Sequence, residues 1–223
     1  TYNVLEASKT HSLKNIIITS TSETYGSAVK IPMNENHRLI AQSPYSASKI
    51  AADNLSLSYY LSFNLPIKII RPFNCYGPRQ SSRAIIPTIV SQLYNNRANI
   101  KLGNLDAIRD LTYVDDLVDA FYKVFNSKKF IGEVTNVGNG KGYSVKKIYD
   151  IISKKIGIRK KIIIDKRRVR PKNSEVNKLI CDNSKMYKLS SWKPKFSIDK
   201  GLDQTIRWIS TNQEKFKSDI YNV

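Results

Sequence analysis

Apolar residues along this chain follow two different spacings. Short β-branched runs of strand length occupy residues 15–19, 66–71, 99–102, 133–137 and 162–165. Longer segments with an apolar residue every three to four positions occupy residues 2–8, 45–63, 83–94, 114–125, 144–156, 184–189 and 198–210. Strands that alternate with helices are typical of a parallel sheet with right-handed crossovers. The pattern therefore predicts an α/β fold.

The first pattern along the chain is a helical one, at residues 2–8, and no strand precedes it. A doubly wound α/β fold begins with a strand. We therefore expect the native polypeptide to continue upstream of residue 1.

The charge of the chain is strongly positive. Lysine and arginine total 37 and aspartate and glutamate total 18, for a formal net charge of +19. A basic excess is a feature of nucleic-acid-binding proteins, but these residues are scattered, with only short runs such as 159–161 and 166–168. They also lie among abundant Ile and Asn, a bias that an AT-rich genome produces. We therefore do not expect nucleic acid as a partner, and the positive field suits an anionic substrate such as a nucleotide diphosphate.

Cysteine usage and hydropathy indicate the compartment. Cys75 and Cys181 are isolated, without a Cys-x-x-Cys pair or His-rich neighbours, so no metal site is expected. No window approaches the roughly 18 consecutive apolar residues of a membrane helix, and nothing resembles a secretory signal. The expectation is a cytoplasmic protein with reduced thiols and no membrane partner.

A tyrosine and a lysine stand four residues apart at the start of the helix predicted over 45–63. Tyr45 and Lys49 belong to the run YSASK, and this spacing puts both side chains on one helix face. A nearby ammonium favours the phenolate form of tyrosine, which is what a general base requires. Taken alone the motif is weak, because surface Tyr and Lys residues are common.

Two further polar groups directly follow predicted strands. The hydroxyl-rich run TSTSETYG occupies residues 19–26, and RPFNCYGPR occupies residues 71–79. Ligands in open α/β sheets bind outside the carboxyl ends of strands, where both runs fall. Each run could equally be an ordinary Ser/Thr-rich or Pro/Gly-rich turn.

The order and spacing of these groups are more specific than any one of them. Together with RDLTYVDD at 109–116, NVG at 136–138 and RP at 170–171, they resemble the extended short-chain dehydrogenase/reductases that act on nucleotide sugars. The resemblance covers essentially the whole chain and implies part of a Rossmann-type doubly wound sheet with a smaller α/β substrate lobe. The chain departs from the family pattern in its N-terminal region, because it has no Gly-rich turn of the dinucleotide-binding kind.

The resemblance also implies roles for individual residues. Tyr45 would deprotonate the sugar C4 hydroxyl while NAD takes the hydride, and Lys49 would lower the Tyr45 pKa and bind the nicotinamide ribose. Thr21 would hydrogen-bond the C4 oxygen, and Ser20 would contact the cofactor. The substrate-binding candidates are Asn74, Arg79, Arg83, Arg109 and Arg170. Arginine suits a diphosphate because its planar fork donates two parallel hydrogen bonds.

Ser22 and Glu23 bear on which reaction follows C4 oxidation. Glu23 would be the base that removes the C5 proton, which permits loss of water from C6 and return of the hydride there. Many dehydratases of the family carry Asp in place of Ser22, while GDP-mannose dehydratases and UDP-glucuronate decarboxylases carry Ser. Residues 77–87 and 170–176 most resemble UDP-N-acetylglucosamine 4,6-dehydratases. Decarboxylation and 4-epimerisation stay open, as do a basic nucleic-acid-binding module and a degenerate fragment.

The same resemblance divides the chain and predicts its assembly. Residues 1–80 and 113–138 are assigned to the NAD domain, and residues 81–112 and 139–223 to the substrate lobe. Relatives commonly dimerise through the Tyr–Lys helix. A homodimer fits the two apolar faces of this helix, which carry Ala47, Ala51, Leu55 and Tyr59 on one side and Ile50, Leu57 and Leu61 on the other.

Overall fold

The computed structural model describes residues 1–169 and 171–216 and has the alternating order expected from the sequence. The helices are α1 (Tyr2–Thr10), α2 (Pro44–Phe63), α3 (Ile85–Tyr94), α4 (Val114–Asn126), α5 (Val145–Ile156), α6 (Ser184–Ser190) and α7 (Ile198–Ser210). The strands are β1 (Ile16–Thr19), β2 (Ile67–Pro72), β3 (Asn74–Tyr76), β4 (Asn99–Leu102), β5 (Ile108–Tyr113), β6 (Val134–Val137), β7 (Gly142–Ser144), β8 (Lys161–Ile164) and β9 (Lys178–Leu179).

The main sheet is parallel and has the order β1-β2-β6. Ile18 pairs with Ile69, and Arg71 pairs with Asn136 across the next ladder. All residues of β2 from Ile67 to Arg71 are buried, because helices cover both faces of a parallel sheet. The carboxyl ends of β1 and β2 therefore open side by side at one edge.

A second group of strands lies beyond the main sheet. After β2 only Phe73 intervenes before β3, which pairs with β5 in parallel. β5 also pairs with β9 in parallel and with β7 in antiparallel orientation, while β4 and β8 form a separate parallel pair. One antiparallel ladder thus joins an otherwise parallel arrangement.

Buried apolar residues form four clusters among the described residues, and two of these clusters lie beneath the strand layers. Leu5, Tyr59, Ile67 and Ile69 pack between α1, α2 and the main sheet. A larger core joins α3, α5 and α7 to β3, β4 and β5 through residues that include Ile89, Ile152, Leu202 and Ile206. Each fully buried aliphatic side chain contributes roughly 1.5–3 kcal/mol relative to an exposed one. Both cores therefore stabilise the scaffold beneath the strand ends.

The α/β fold class is confirmed, and so are the long elements. Helix α7 has the expected bounds, and Ser144 caps α5 because its side chain accepts from the Lys147 backbone N–H at 3.1 Å. The expected start of α3 at residue 83 is wrong by two residues. Strands β3, β5, β7 and β9 were not expected from the sequence. The domain division at residues 80, 112 and 138 stays a prediction.

Among residues 1–169 and 171–216, no helix is both long enough and apolar enough to cross a membrane.

Candidate active site

The segment after β1 forms a short turn that directs its polar side chains to the sheet edge. Thr21 caps a 3-10 turn at Ser22–Tyr25, and its Oγ1 accepts from the Glu23 backbone N–H at 3.2 Å. The turn closes at Gly26, whose φ of 63° lies in the left-handed region that favours glycine. Because the Thr21 hydroxyl acts as an acceptor within the turn, its proton can be donated to a ligand.

Helix α2 begins beside this turn. Ser43 and Ser46 form a reciprocal capping box, and Pro44 occupies the first helical position, where its missing N–H costs nothing. Tyr45 follows with 51% of its surface exposed. One turn further on, the Lys49 ammonium donates to the Thr19 backbone oxygen at 3.0 Å. The end of β1 therefore fixes the head of the lysine at the same sheet edge as Tyr45.

These residues line one small cavity, which we call the catalytic cleft. Its volume is about 230 Å³. It is lined by Ser20, Thr21, Ser22, Glu23, Tyr45, Pro72, Phe73, Asn74 and Cys75. The structure thus brings together most of the residues that the sequence analysis associated with catalysis, although they come from three separate segments.

A second cavity adjoins the first, and we call it the arginine cleft. Its volume is about 300 Å³, and Arg83, Arg109 and Arg168 contribute basic side chains to its wall. Glu23, Asn74 and Cys75 line both clefts. A ligand with an anionic part and a neutral reactive part would therefore have adjoining sites for the two parts.

One ion pair crosses the wall of the arginine cleft. Arg109 Nη2 lies 3.5 Å from Glu175 Oε1, and both side chains are largely buried. Burial weakens screening by water, so this carboxylate holds the Arg109 side chain in a defined place. Glu175 also means that the cleft is not uniformly positive.

Two polar groups at the junction of the clefts have distinct environments. Asn74 Oδ1 is buried without a hydrogen-bond partner among the described residues, which is costly unless a ligand supplies one. Burial raises the pKa of the Cys75 thiol to about 11. Cys75 is therefore a neutral thiol at pH 7 rather than a nucleophile.

One substrate-binding candidate lies outside both cleft walls, and another is not among the described residues. Arg79 is exposed, with a φ of 66°, and is absent from both cleft walls. Arg170 lies outside the described residues. The substrate-binding roles of both remain predictions, and Lys49 contacts the end of β1 next to the catalytic cleft rather than lining it.

Sequence analysis missed several residues of the site. Arg168 and Glu175 were read only as parts of runs, because a single arginine or glutamate carries no local signal. Gln80 was also missed, although its Nε2 donates to the Cys75 backbone oxygen at 2.7 Å. Asp53 and Arg71, which pair beneath the catalytic cleft, could have been suspected from a carboxylate two turns after Tyr45 on the same helix face.

A parallel sheet whose strand ends meet a Tyr–Lys helix is the architecture of a short-chain dehydrogenase/reductase. The family model described as GDP-mannose 4,6 dehydratase matches residues 1–205, and the chain belongs to this family. Its membership of the extended short-chain dehydrogenase/reductases, expected from the motifs, is thereby confirmed.

Relatives in this family carry different activities in their names. The chain is 30% identical over 216 residues to a putative UDP-glucose 4-epimerase of Methanocaldococcus jannaschii, covering 95% of this chain and 68% of that protein. It is 31% identical to the UDP-glucuronate 4-epimerase of Thermodesulfobacterium geofontis, covering 98% and 66%. The chain spans about two thirds of the length of these relatives.

Solved structures show the same arrangement of elements. The NAD complex of dTDP-glucose 4,6-dehydratase from Bacillus anthracis superposes with a TM-score of 0.87 at 28% identity, covering 96% of this chain and 67% of that one. UDP-glucuronic acid 4-epimerase from Bacillus cereus, in complex with UDP-glucuronic acid and NAD, gives a TM-score of 0.87 at 28% identity, covering 94% and 65%. The chain is therefore similar to both dehydratases and epimerases.

Proposed function

We propose that the chain is the larger part of an NAD-dependent nucleotide-sugar 4,6-dehydratase, a lyase, and that its substrate is UDP-N-acetylglucosamine. The observation that carries this proposal is the place of Glu23, which lines both the catalytic cleft and the arginine cleft. With the diphosphate of a nucleotide sugar bound in the arginine cleft, the sugar would extend into the catalytic cleft towards Tyr45. Glu23 would then lie beside the sugar. The substrate itself rests on the resemblance of residues 77–87 and 170–176 to enzymes that use it.

The residues present fit the nicotinamide end of the cofactor. Tyr45 and Ser20 line the catalytic cleft, Lys49 is anchored at its edge, and the buried Asn74 Oδ1 there lacks a partner among the described residues. When bound, NAD accepts a hydride from sugar C4 and returns it at C6. Nothing in residues 1–223 matches the Gly-rich turn that holds the pyrophosphate, so we propose that this polypeptide alone binds NAD weakly and is inactive.

The proton steps follow from the side chains around the cleft. Tyr45 takes the proton of the C4 hydroxyl as the general base, and the Lys49 ammonium, held by the Thr19 oxygen, lies at the same sheet edge. Thr21 donates a hydrogen bond to the C4 oxygen, using the proton that its turn leaves available. Oxidation at C4 makes the C5 proton acidic, and Glu23 removes it. Glu23 then passes this proton to the C6 hydroxyl, which leaves as water.

The arginine cleft would hold the nucleotide diphosphate. Arg109 and Arg83 line it, and the Glu175 carboxylate orients Arg109 before the substrate binds. Arginine donates bidentate hydrogen bonds to phosphate oxygens, so the diphosphate supplies binding energy that places the sugar in the catalytic cleft. In this proposal the substrate is a nucleoside diphosphate sugar rather than a free sugar.

A 4-epimerase is the second candidate, because three of the similar proteins carry that activity in their names. Epimerisation returns the hydride to C4 and needs no base for the C5 proton. UDP-glucuronate decarboxylation is a third outcome that also leaves C5 without a base, since the 4-keto acid loses CO₂ by itself.

The test separates these reactions at Glu23 in the full natural chain supplied with NAD. The enzyme should convert UDP-N-acetylglucosamine into a 4-keto-6-deoxy product, with solvent deuterium incorporated at C5. Glu23→Gln should block this product and still permit C4 oxidation, seen as NADH absorbance. The matched control is Glu214→Gln, because Glu214 is exposed and remote from both clefts. An inverted C4 hydroxyl in place of the 4-keto product would assign the epimerase. CO₂ released from UDP-glucuronate, with UDP-N-acetylglucosamine left unchanged, would assign the decarboxylase.

We also propose that the enzyme is a cytoplasmic homodimer. Both Cys75 and Cys181 are free thiols, which suits a reducing compartment. On α2 the exposed face carries Ala47, Ala51 and Leu61, whereas Asp53 and Ser56 are buried on the opposite side. Asn54 and Ser58 are also exposed on that face, and a second subunit would cover its apolar residues. Sedimentation of the natural chain checks this state.

A further inference from the structure

Three polar side chains meet beneath the catalytic cleft. Ser20 Oγ donates to Asp53 Oδ2 at 2.8 Å, and Arg71 donates to the same oxygen from Nε at 3.0 Å and from Nη2 at 2.9 Å. All three residues are at most 4% exposed. We call Ser20, Asp53 and Arg71 the buried triad.

Each member of the triad belongs to a different segment of the proposed active site. Ser20 immediately precedes Thr21 in the turn after β1. Asp53 lies on α2 at positions i+4 and i+8 from Lys49 and Tyr45, so it shares their helix face. Arg71 lies in β2, three residues before Asn74. One carboxylate oxygen therefore ties together the three segments that line the catalytic cleft.

The network continues across the main sheet. The Tyr25 ring lies 4.9 Å from the Arg71 guanidinium, and the Tyr25 hydroxyl donates to Asn136 Oδ1 at 2.7 Å. Asn136 belongs to β6, so the contacts run from α2 through β2 to the third strand. Burial is the main reason why the pKa of Tyr25 is raised to about 12, and the phenol stays protonated as a donor at neutral pH.

A buried ion pair contributes little net stability to a fold. Desolvation of the two charges offsets much of their attraction, and an apolar pair of similar volume is often equally stable. What such a pair provides is direction, because the planar Arg71 fork and the Ser20 hydroxyl each meet Asp53 in one geometry. The triad is therefore suited to fixing the positions of the three segments relative to one another.

We propose that Asp53 is a positioning residue, which acts through Ser20 and Arg71 to hold the Thr21 turn and Asn74 in register with Tyr45 and Lys49. This inference rests on the proposed C4 oxidation by Tyr45. The triad touches neither substrate nor the arginine cleft in this scheme. Loss of the Asp53 carboxylate would leave every reacting group present and misplace them relative to one another.

The test compares Asp53→Asn and Ser20→Ala with Ser56→Ala in the full natural chain supplied with NAD. Ser56 is a buried serine on the same helix whose hydroxyl donates to the Ala52 backbone oxygen at 2.7 Å, so its loss leaves the triad intact. We expect Asp53→Asn to slow single-turnover C4 oxidation by up to about 100-fold, the effect of a misplacement of ~1 Å. Ser20→Ala should slow it several-fold. Asp53→Asn should keep the wild-type dissociation constants for NAD and substrate, and Ser56→Ala should keep the wild-type rate.

Two results would overturn the positioning role. One is a wild-type rate per folded site in both triad variants, with only the melting temperature lowered. The other is an Asp53→Asn variant with weaker NAD binding and an unchanged rate at saturation, which would mean that the carboxylate acts on cofactor binding and not on the placement of the reacting groups. If Asp53→Asn fails to fold, the rate of Ser20→Ala at saturation decides.

Amide hydrogen exchange keeps this inference separate from the proposed function. Both triad variants should speed exchange in residues 20–25 and 72–76 together, and Ser56→Ala should not. If the wild type converts no nucleotide sugar into a 4-keto-6-deoxy product, the proposed function fails, and exchange still decides on the triad. Unchanged exchange in both segments would show that the triad does not hold them.

Discussion

The main sheet and the layer formed by α3, α5 and α7 bury different kinds of side chain. Beneath the strand ends, Ser20, Asp53, Lys68 and Arg71 are all at most 4% exposed. Within the three helices of the layer, which the structure describes completely, no Lys, Arg, Asp or Glu is buried. The charged interior lies next to the chemistry, and the apolar interior lies away from it. Catalysis and stability should therefore respond to substitutions in different places.

The largest expected effect separates the two regions most sharply. Tyr45→Phe in the full natural chain removes the general base and should reduce C4 oxidation by roughly 10²–10⁴-fold. Tyr45 is half exposed, so its stability should stay within about 0.5 kcal/mol of wild type. NADH absorbance and thermal unfolding measure the two quantities. Tyr122→Phe, an exposed tyrosine on α4, is the control, and a Tyr45→Phe enzyme with normal turnover would refute the mechanism.

The converse substitution lies in the apolar layer. Ile152 is fully buried in α5, and Ile152→Ala should lower the free energy of unfolding by about 2–5 kcal/mol through lost burial and a cavity. The rate per folded molecule should stay at the wild-type value. Denaturant unfolding measures the loss, with Leu13→Ala, at a site 46% exposed, as the mild counterpart. Equal losses in both variants would mean that the layer is not the stabilising core.

A third substitution tests a charge that links the two regions. Asp110 is fully buried in β5 and accepts backbone N–H groups from Asn139, Gly140 and Cys181, at 2.8–3.0 Å. Desolvation is the largest influence on its carboxyl and raises the pKa from 3.8 to about 6. The folded protein therefore binds this proton more tightly than the unfolded chain does. The stabilisation is complete below pH 3.8 and is lost as the pH rises through about 6.

Asp110→Asn removes this pH dependence. From about pH 4 to pH 7, the free energy of unfolding of Asp110→Asn should rise by up to about 3 kcal/mol relative to that of the wild type. This change with pH does not depend on how much the substitution destabilises the protein at pH 4. Urea unfolding at a series of pH values gives the difference. Asp106→Asn, an exposed carboxyl on the preceding loop, should retain the wild-type profile. A constant gap between Asp110→Asn and wild type would mean that the pKa of Asp110 is not raised.

Long periodic segments could be located from the sequence, and short or charged ones could not. Helix α7 spans 13 residues with a clear apolar stripe, so local spacing was enough. Strand β5 holds Arg109 and Asp110 in its interior, which is contrary to strand propensity. Asp110 is tolerated there because backbone N–H groups about 30 and 70 residues later in the chain satisfy it. Such long-range contacts leave no local pattern.

The candidate site divides in the same way. The order of three motifs predicted that Thr21, Tyr45 and Asn74 would meet, and they line one cleft. Glu175 and Arg168 join the arginine cleft through the fold of residues that carry no motif of their own. The buried triad also depends on three distant segments, although its members flank the motifs. Sequence order thus predicted most of the residues that line the catalytic cleft and missed the buried residues that contact them.

The single-residue step between β2 and β3 also bears on how such an enzyme can diverge. Phe73 is 2% exposed, and its backbone N–H donates to the Val137 oxygen at 2.8 Å. Burial and this hydrogen bond therefore fix the position of the connecting residue. An inserted residue would turn Asn74 to the opposite face of its strand. Insertions and deletions are therefore excluded between β2 and β3 during evolution. New substrate preferences would have to arise by replacing side chains or by altering the arginine-bearing segments opposite.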